Sequence, residues 1–240
     1  MDSLKAARFE AVRQAIHHKW GQQALQSVRA YQAGTQQRTI LTGFPDLDAA
    51  LGGGIPHQSI TLLEGNATSG MTSLAYHLIA SAHANGLVCV YLDLSQTFDA
   101  DYAIRCYSIQ EDQLLLVYAD DLADALALAR DVLLLPYRGL IVLDAALAEP
   151  VPLFPALQSG FSRLKLPLRQ SRWTLLALLP QAAQWVTLPA ALHLGLQRSD
   201  WQYQNSLISG LWSTVHVRKN QRQPDTQTTV ISIVFPDDLA

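Results

Sequence analysis

The sequence predicts an α/β fold: a mostly parallel central sheet flanked by helices, a C-terminal antiparallel β-meander and an N-terminal helical arm. Three observations carry this. Short apolar runs such as "SITLLEG", "LVCVYLD" and "GLIVLD" alternate with longer segments of helical periodicity, the pattern of a parallel sheet covered on both faces. After Pro189 the helical pattern stops, and three strand-like runs follow near 191–204, 211–218 and 228–235, joined by turn-rich segments. The 240 residues are 49% hydrophobic and 15% charged, which suits one well-buried α/β domain with little disorder.

Taken in order, Phe9, Val12, Ile16 and Trp20 recur at spacings of three and four and form one helical stripe. Gly21 interrupts, and "QQALQSVRAY" resumes as a short second helix. Residues 1–36 thus read as an arm before a core domain of residues 37–240. The arm either packs on its own domain or docks on a neighbouring subunit or partner. "RTILTGFPDLDAALGGGIPHQ" is punctuated by Gly43, Gly52, Gly53, Gly54 and Pro56, with one short helix around Leu47, Ala50 and Leu51. "SITLLEG" then reads as a strand and "TSLAYHLIASAHANG" as a helix ending at Gly86. The alternation continues through "LVCVYLD" (strand), "DADYAIRCY" (helix), "LLLVY" (strand), "DLADALALARDVLLL" (helix) and "GLIVLD" (strand). A proline-broken helical stretch through "ALQSGFSRLKLPLRQ" and the strand "RWTLLALL" complete it.

The formal charge of −3 excludes a protein that coats nucleic acid by bulk electrostatics, since phosphate binding needs clustered cations. A local patch stays open, and Arg218, Lys219 and Arg222 are the densest basic group, read as a turn between the last two meander strands. Cys89 and Cys106 stand in no Cys-x-x-Cys pattern and predict reduced thiols. No apolar run approaches the ~18 residues of a spanning helix, so a soluble, cytoplasmic protein without membrane contact is expected. The seven histidines are dispersed and predict no zinc site. Ser69, Ser73 and Ser95 lack the Gly-x-Ser-x-Gly context of a hydrolase. Trp185, Trp201, Tyr203 and Trp212 are expected as core or interface anchors rather than base-stacking platforms.

The chemistry concentrates in Gly65-Asn66-Ala67-Thr68-Ser69-Gly70-Met71-Thr72, followed by Ser73. These residues fit the phosphate-loop pattern G-x-x-x-x-G-K-[ST] at every fixed position except the lysine. Glycines let backbone N–H groups close around phosphate oxygens, and the N-terminus of the next helix adds a favourable dipole. Downstream, "GLIVLDAA" ends a strand in Asp144, where such folds hold the magnesium shell.

With these residues in view, the chain from Thr39 to Phe235 resembles the RecA family. "LTGFPDLDAALGGGIPHQSITLLEGNATSGMTSL" looks like that family's lead-in, first core strand and phosphate loop. "VYLDLSQTFDADYA" resembles the segment with its catalytic glutamate and adenine contacts, and "HVRKNQ" its basic strand facing the neighbouring subunit's nucleotide. The resemblance implies a RecA-like P-loop fold binding ATP or ADP with magnesium. It implies nucleotide contacts from the loop Gly65–Ser73, adenine contacts from Asp99 and Tyr102, a contact in trans from Lys219, and magnesium near Thr72 and Asp144.

The departures from the pattern imply loss of catalysis. Met71 keeps the length of a lysine stem without its ammonium. Ser95 stands where the resemblance places the catalytic glutamate, and a hydroxyl is no base at neutral pH. Nucleotide binding should therefore be weak, with no confident catalytic residue. Only short segments stand where a recombinase has DNA-binding loops, although Gln181 matches a glutamine that couples nucleotide to DNA. Strand exchange is not expected, and DNA binding should be weak. The resulting expectation is a pseudo-ATPase acting as an accessory or scaffold in DNA repair, similar to the ImuA-type proteins that accompany translesion polymerases. Its partners would be a repair protein or polymerase, or a second copy held through the N-terminal helix. Two alternatives stay open: an ATPase using Lys219 or Arg222 as substitute cation, and a KaiC-like regulator that does not act on DNA.

Overall fold

The computed structural model describes Gln14, residues 39–181, 187–223 and 227–235, with Val151 described in its backbone alone. Apart from Gln14, the expected arm over residues 1–36, with its stripe of Phe9, Val12, Ile16 and Trp20, lies outside the described residues, as does Trp185.

Within the unit Thr39–Ala240, eight strands form one sheet in the order β10-β9-β8-β3-β7-β6-β4-β5. Its parallel part comprises β3 (Ile60–Gly65), β4 (Val88–Asp93), β5 (Leu114–Tyr118), β6 (Gly139–Asp144) and β7 (Trp173–Pro180). β8 (Leu192–Gln204) joins β3 in parallel, and β9 (Leu207–Asn220) and β10 (Thr228–Val234) continue antiparallel. Two short strands, β1 (Thr39–Ile40) and β2 (Ile55–Pro56), make a separate antiparallel pair in the lead-in.

Helices cover both faces of the parallel part. α1 (Pro45–Leu51), α2 (Met71–Ala84) and α3 (Ala100–Tyr107) bury their apolar sides in one core layer with Leu63, Tyr91, Leu178 and the inward residues of the meander. α4 (Leu122–Val132) and α5 (Pro150–Gln170) form the other layer with Leu62, Leu143, Leu175 and Trp173. The central strands β3 and β6 are buried along their whole length, which explains their unbroken apolar sequence. No helix among the described residues is long and apolar enough to cross a membrane.

Three local expectations need correction. The helical stretch is not broken by proline: α5 runs unbroken through Pro155 and Pro167. Each proline forfeits a bond to the carbonyl four residues back, but burial of Leu153, Phe154, Leu157, Phe161, Leu164 and Leu168 along one stripe outweighs that loss. The apolar run "LLLVY" is an edge strand, not a covered one, with Leu115 59% and Tyr118 60% exposed. The second meander strand is longer than 211–218, so Arg218 and Lys219 lie inside β9 and not in a turn. Cys89 is buried, which pushes its thiol up to about 12, and Cys106 is half-buried.

Candidate functional site

The glycine loop follows β3 and ends at α2, which starts at Met71 itself. Gly70 has φ +91°, and a Cβ there would sit 2.6 Å from Ile233 Cδ1. Only glycine combines that backbone with so close an approach of the meander. Gly65 is held for a second reason, because a Cβ would meet Ser69 Oγ at 2.5 Å and the Leu196 carbonyl at 2.8 Å. The loop is pinned from outside as well. Ser213 Oγ of β9 donates to the Ser69 carbonyl at 2.7 Å, Arg198 Nη1 of β8 donates to Thr68 Oγ1 at 2.5 Å, and the Gln181 N–H donates to the Gly65 carbonyl at 3.1 Å.

A cavity of about 410 Å³ opens beside this loop. Asn66, Ala67, Thr68, Ser69, Gly70, Met71, Thr72 and Ser73 all line it, together with Thr97, Tyr102, Ala146 and Leu147. Trp201, Leu211 and Phe235 of the meander side close it with apolar surface. Met71 is 5% exposed and belongs to the core layer around α2, so its thioether is packing and brings no charge to the cavity. Ser69 is 2% exposed, and its Oγ has no hydrogen-bond partner among the described residues.

Asp144 lies at the end of β6 and is 1% exposed. Its Oδ2 accepts from Tyr91 Oη at 2.5 Å, and its Oδ1 from the Ala146 N–H at 3.0 Å and Ser95 Oγ at 3.4 Å. Burial raises its pKa, with the Tyr91 hydrogen bond opposing and the charge of Asp93, its neighbour across the strand pair, adding to the rise. Asp93 is fully buried and folds the next loop back, accepting from the N–H groups of Ser95, Thr97 and Phe98. Ser95 joins the two loops: its Oγ donates to Asp144 and accepts from the Leu147 N–H at 3.3 Å. These residues fit a phosphate group at the loop and fit a magnesium ion poorly, because Asp144 is buried and engaged by three donors of its own chain.

The remaining expected site residues divide. Tyr102 lines the cavity and shares a hydrogen bond with Tyr107 Oη at 3.3 Å, in an aromatic group with Tyr76 and Phe98. Asp99 caps α3, accepting from the Tyr102 N–H at 2.9 Å, and is not among the cavity lining. Lys219 is half-buried in β9 and also outside that lining; burial lowers its pKa, and the charge of Lys165 lowers it further. Arg222 donates to the Gly52 carbonyl at 3.2 Å. Arg218 pairs with Glu64 Oε1 at 2.8 Å, while His193 Nε2 lies 2.7 Å from Glu64 Oε2. Arg218 and Lys219 are therefore built into β9, while Arg222 lies in the bend after it, tied back to Gly52. Sequence reading passed over Arg198, because only the pairing of β8 with β3 brings it to Thr68 from 130 residues away.

The profile of the RecA N-terminal domain family matches residues 7–153. The chain belongs to the RecA family. It is 32% identical over 145 residues to Protein RecA of Chloroflexus aurantiacus, covering 60% of this chain and 41% of that one. Against Protein RecA of Cutibacterium acnes it is 37% identical over 110 residues, 45% of this chain and 31% of the other. Against Protein RecA of Rhodospirillum centenum it is 32% identical over 149 residues, 62% and 41%. The chain spans between about a third and two-fifths of the length of these curated relatives, and its mostly parallel sheet between helices is the fold expected of a RecA-like member.

The raised pKa of Asp144 gives a prediction. Above its ordinary value of 3.8 the unfolded chain releases this proton before the folded chain does. Stability from this group is therefore fully present below that value and is lost as pH rises through the folded pKa. As pH rises above that ordinary value, wild-type urea midpoints should fall relative to those of an Asp144→Asn variant. Parallel profiles for the two proteins would contradict the assignment.

Proposed function

We propose that this RecA-family chain is an accessory or scaffold in DNA repair or damage tolerance, holding ATP or ADP weakly at a degenerate phosphate loop and not turning it over. The observation that supports this most directly is the paired state of two positions. Met71, where the pattern has lysine, is buried apolar surface, and Ser95 places a hydroxyl, not a carboxylate, beside Asp144. One change removes charge from the bound phosphates and the other removes the group that positions water.

In this reading residues 1–36 form the docking arm, and its apolar stripe seats on a second copy or on a repair protein or polymerase. Translesion synthesis is the setting that the likeness to ImuA-type proteins supports. The protein acts in the cytoplasm, and magnesium adds little to nucleotide binding.

The reading is tested on DNA. The isolated protein should bind single-stranded DNA weakly, losing about tenfold or more in affinity between ~50 and ~200 mM salt, and should form no long filament. Regular filaments in electron micrographs would overturn it, because they would restore a recombinase's work to this chain. Affinity capture that returned signalling proteins and neither polymerase nor recombinase would favour a KaiC-like regulatory role instead.

A further inference from the structure

Arg198 is exposed in the middle of β8 and, though not itself among the cavity lining, touches two residues that are; its Nη1 donates to Thr68 Oγ1 at 2.5 Å. Its guanidinium carbon lies 4.3 Å from the centroid of the Trp201 ring. Thr68 and Trp201 both line the cavity, so the cation is held over the loop by one hydrogen bond and one aromatic face. Thr68 itself has φ +63°, at the turn of the loop.

A second, independent feature points to a ligand. Ser69, 2% exposed, lines the same cavity with an Oγ that has no partner among the described residues. That oxygen lies 2.5 Å from where a Gly65 Cβ would be, at the start of the loop. A buried hydroxyl without a partner is costly, and a phosphate oxygen in the loop would give it an acceptor. The fourteen-residue helix α2 starts at the same point and directs its N-terminal N–H groups there.

We infer that Arg198 supplies the positive charge for a nucleoside diphosphate or triphosphate at this loop, replacing both the side chain lost at position 71 and a bound metal ion. The inference rests on reading the loop as a nucleotide site. It is separate from Lys219, which lies in β9, and from Arg222, which lies in the bend after that strand. A guanidinium reaches two phosphate oxygens at once and keeps its charge at any physiological pH. Here it approaches from the meander, so the cation comes from a strand and not from the first turn of the helix. Binding needs no magnesium, because Asp144 is closed off by Tyr91, Ser95 and Ala146. No chemical step is attached to this cation, since nothing beside it activates water.

The test is titration of the full chain with a fluorescent N-methylanthraniloyl ADP, in EDTA and in magnesium, with circular dichroism as a check on folding. Wild type should bind equally well in both, within about twofold, and Arg198→Ala should bind about tenfold or more weakly. Arg198→Lys should recover part of the loss by restoring charge without the fork. Arg138→Ala, which removes an exposed cation at the opposite end of the sheet, should bind as wild type does. Equal affinity in Arg198→Ala, or binding that requires magnesium, overturns this inference and leaves the nucleotide reading standing. Absence of ADP binding in wild type under both conditions overturns both.

Discussion

Replacing Met71 with lysine should tighten ADP binding by about tenfold or more, with ATP hydrolysis still absent. The gain comes from charge-assisted hydrogen bonds to phosphate, roughly 1.5–3 kcal/mol net. Position 71 lines the cavity although it is 5% exposed. A lysine can therefore lay its stem along the apolar wall and turn its ammonium toward the loop. Some stability will be lost, because Met71 also packs with the core layer around α2. Turnover stays absent because Ser95, beside Asp144, still has no basic oxygen. Calorimetry with ADP on wild type and Met71→Lys checks both halves. Unchanged affinity in a folded variant would mean that the loop no longer cradles phosphate.

Glu64→Ala should cost about 3 kcal/mol of stability, the largest effect expected of a single charged residue here. Glu64 lies at the centre of the sheet, with a side chain 5% exposed between Arg218 and His193. Breaking a buried pair from one side leaves the other charge uncompensated, which costs about 3–5 kcal/mol. The Arg218 side chain is 23% exposed, so solvent recovers part of this and the low end applies. Arg218→Met on its own should also destabilise. The double variant Glu64→Met with Arg218→Met should recover much of the loss, since apolar replacement of both partners is often neutral. Urea midpoints of wild type, Glu64→Met, Arg218→Met and the double variant give the coupling directly, and simple additivity would show that the pair contributes nothing as a pair.

The strands and helices of the parallel half were legible because burial on both faces leaves unbroken apolar runs. "LLLVY" and "GLIVLD" match β5 and β6 residue for residue. Sequence could not reveal that β5 is an edge, since an apolar strand reads the same whether or not a neighbour covers it. Pro155 and Pro167 misled for a related reason: the stripe that holds α5 together is buried against the sheet, and local propensity does not register that burial. At the site, the loop and both departures from its pattern lie within contiguous motifs. What closes the cavity does not. Arg198 and Ser213 reach Thr68 and Ser69 from 130 and 144 residues away, and only the register of β8 and β9 beside β3 brings them there.

The property proposed for this site is to hold nucleotide without hydrolysing it. The most direct measurement is steady-state ATP turnover by the purified chain with magnesium, alongside an Asp144→Ala variant as control. The expected result is release of phosphate no faster than a protein-free blank for both proteins. Turnover in wild type that disappears in Asp144→Ala would contradict it and show a working ATPase.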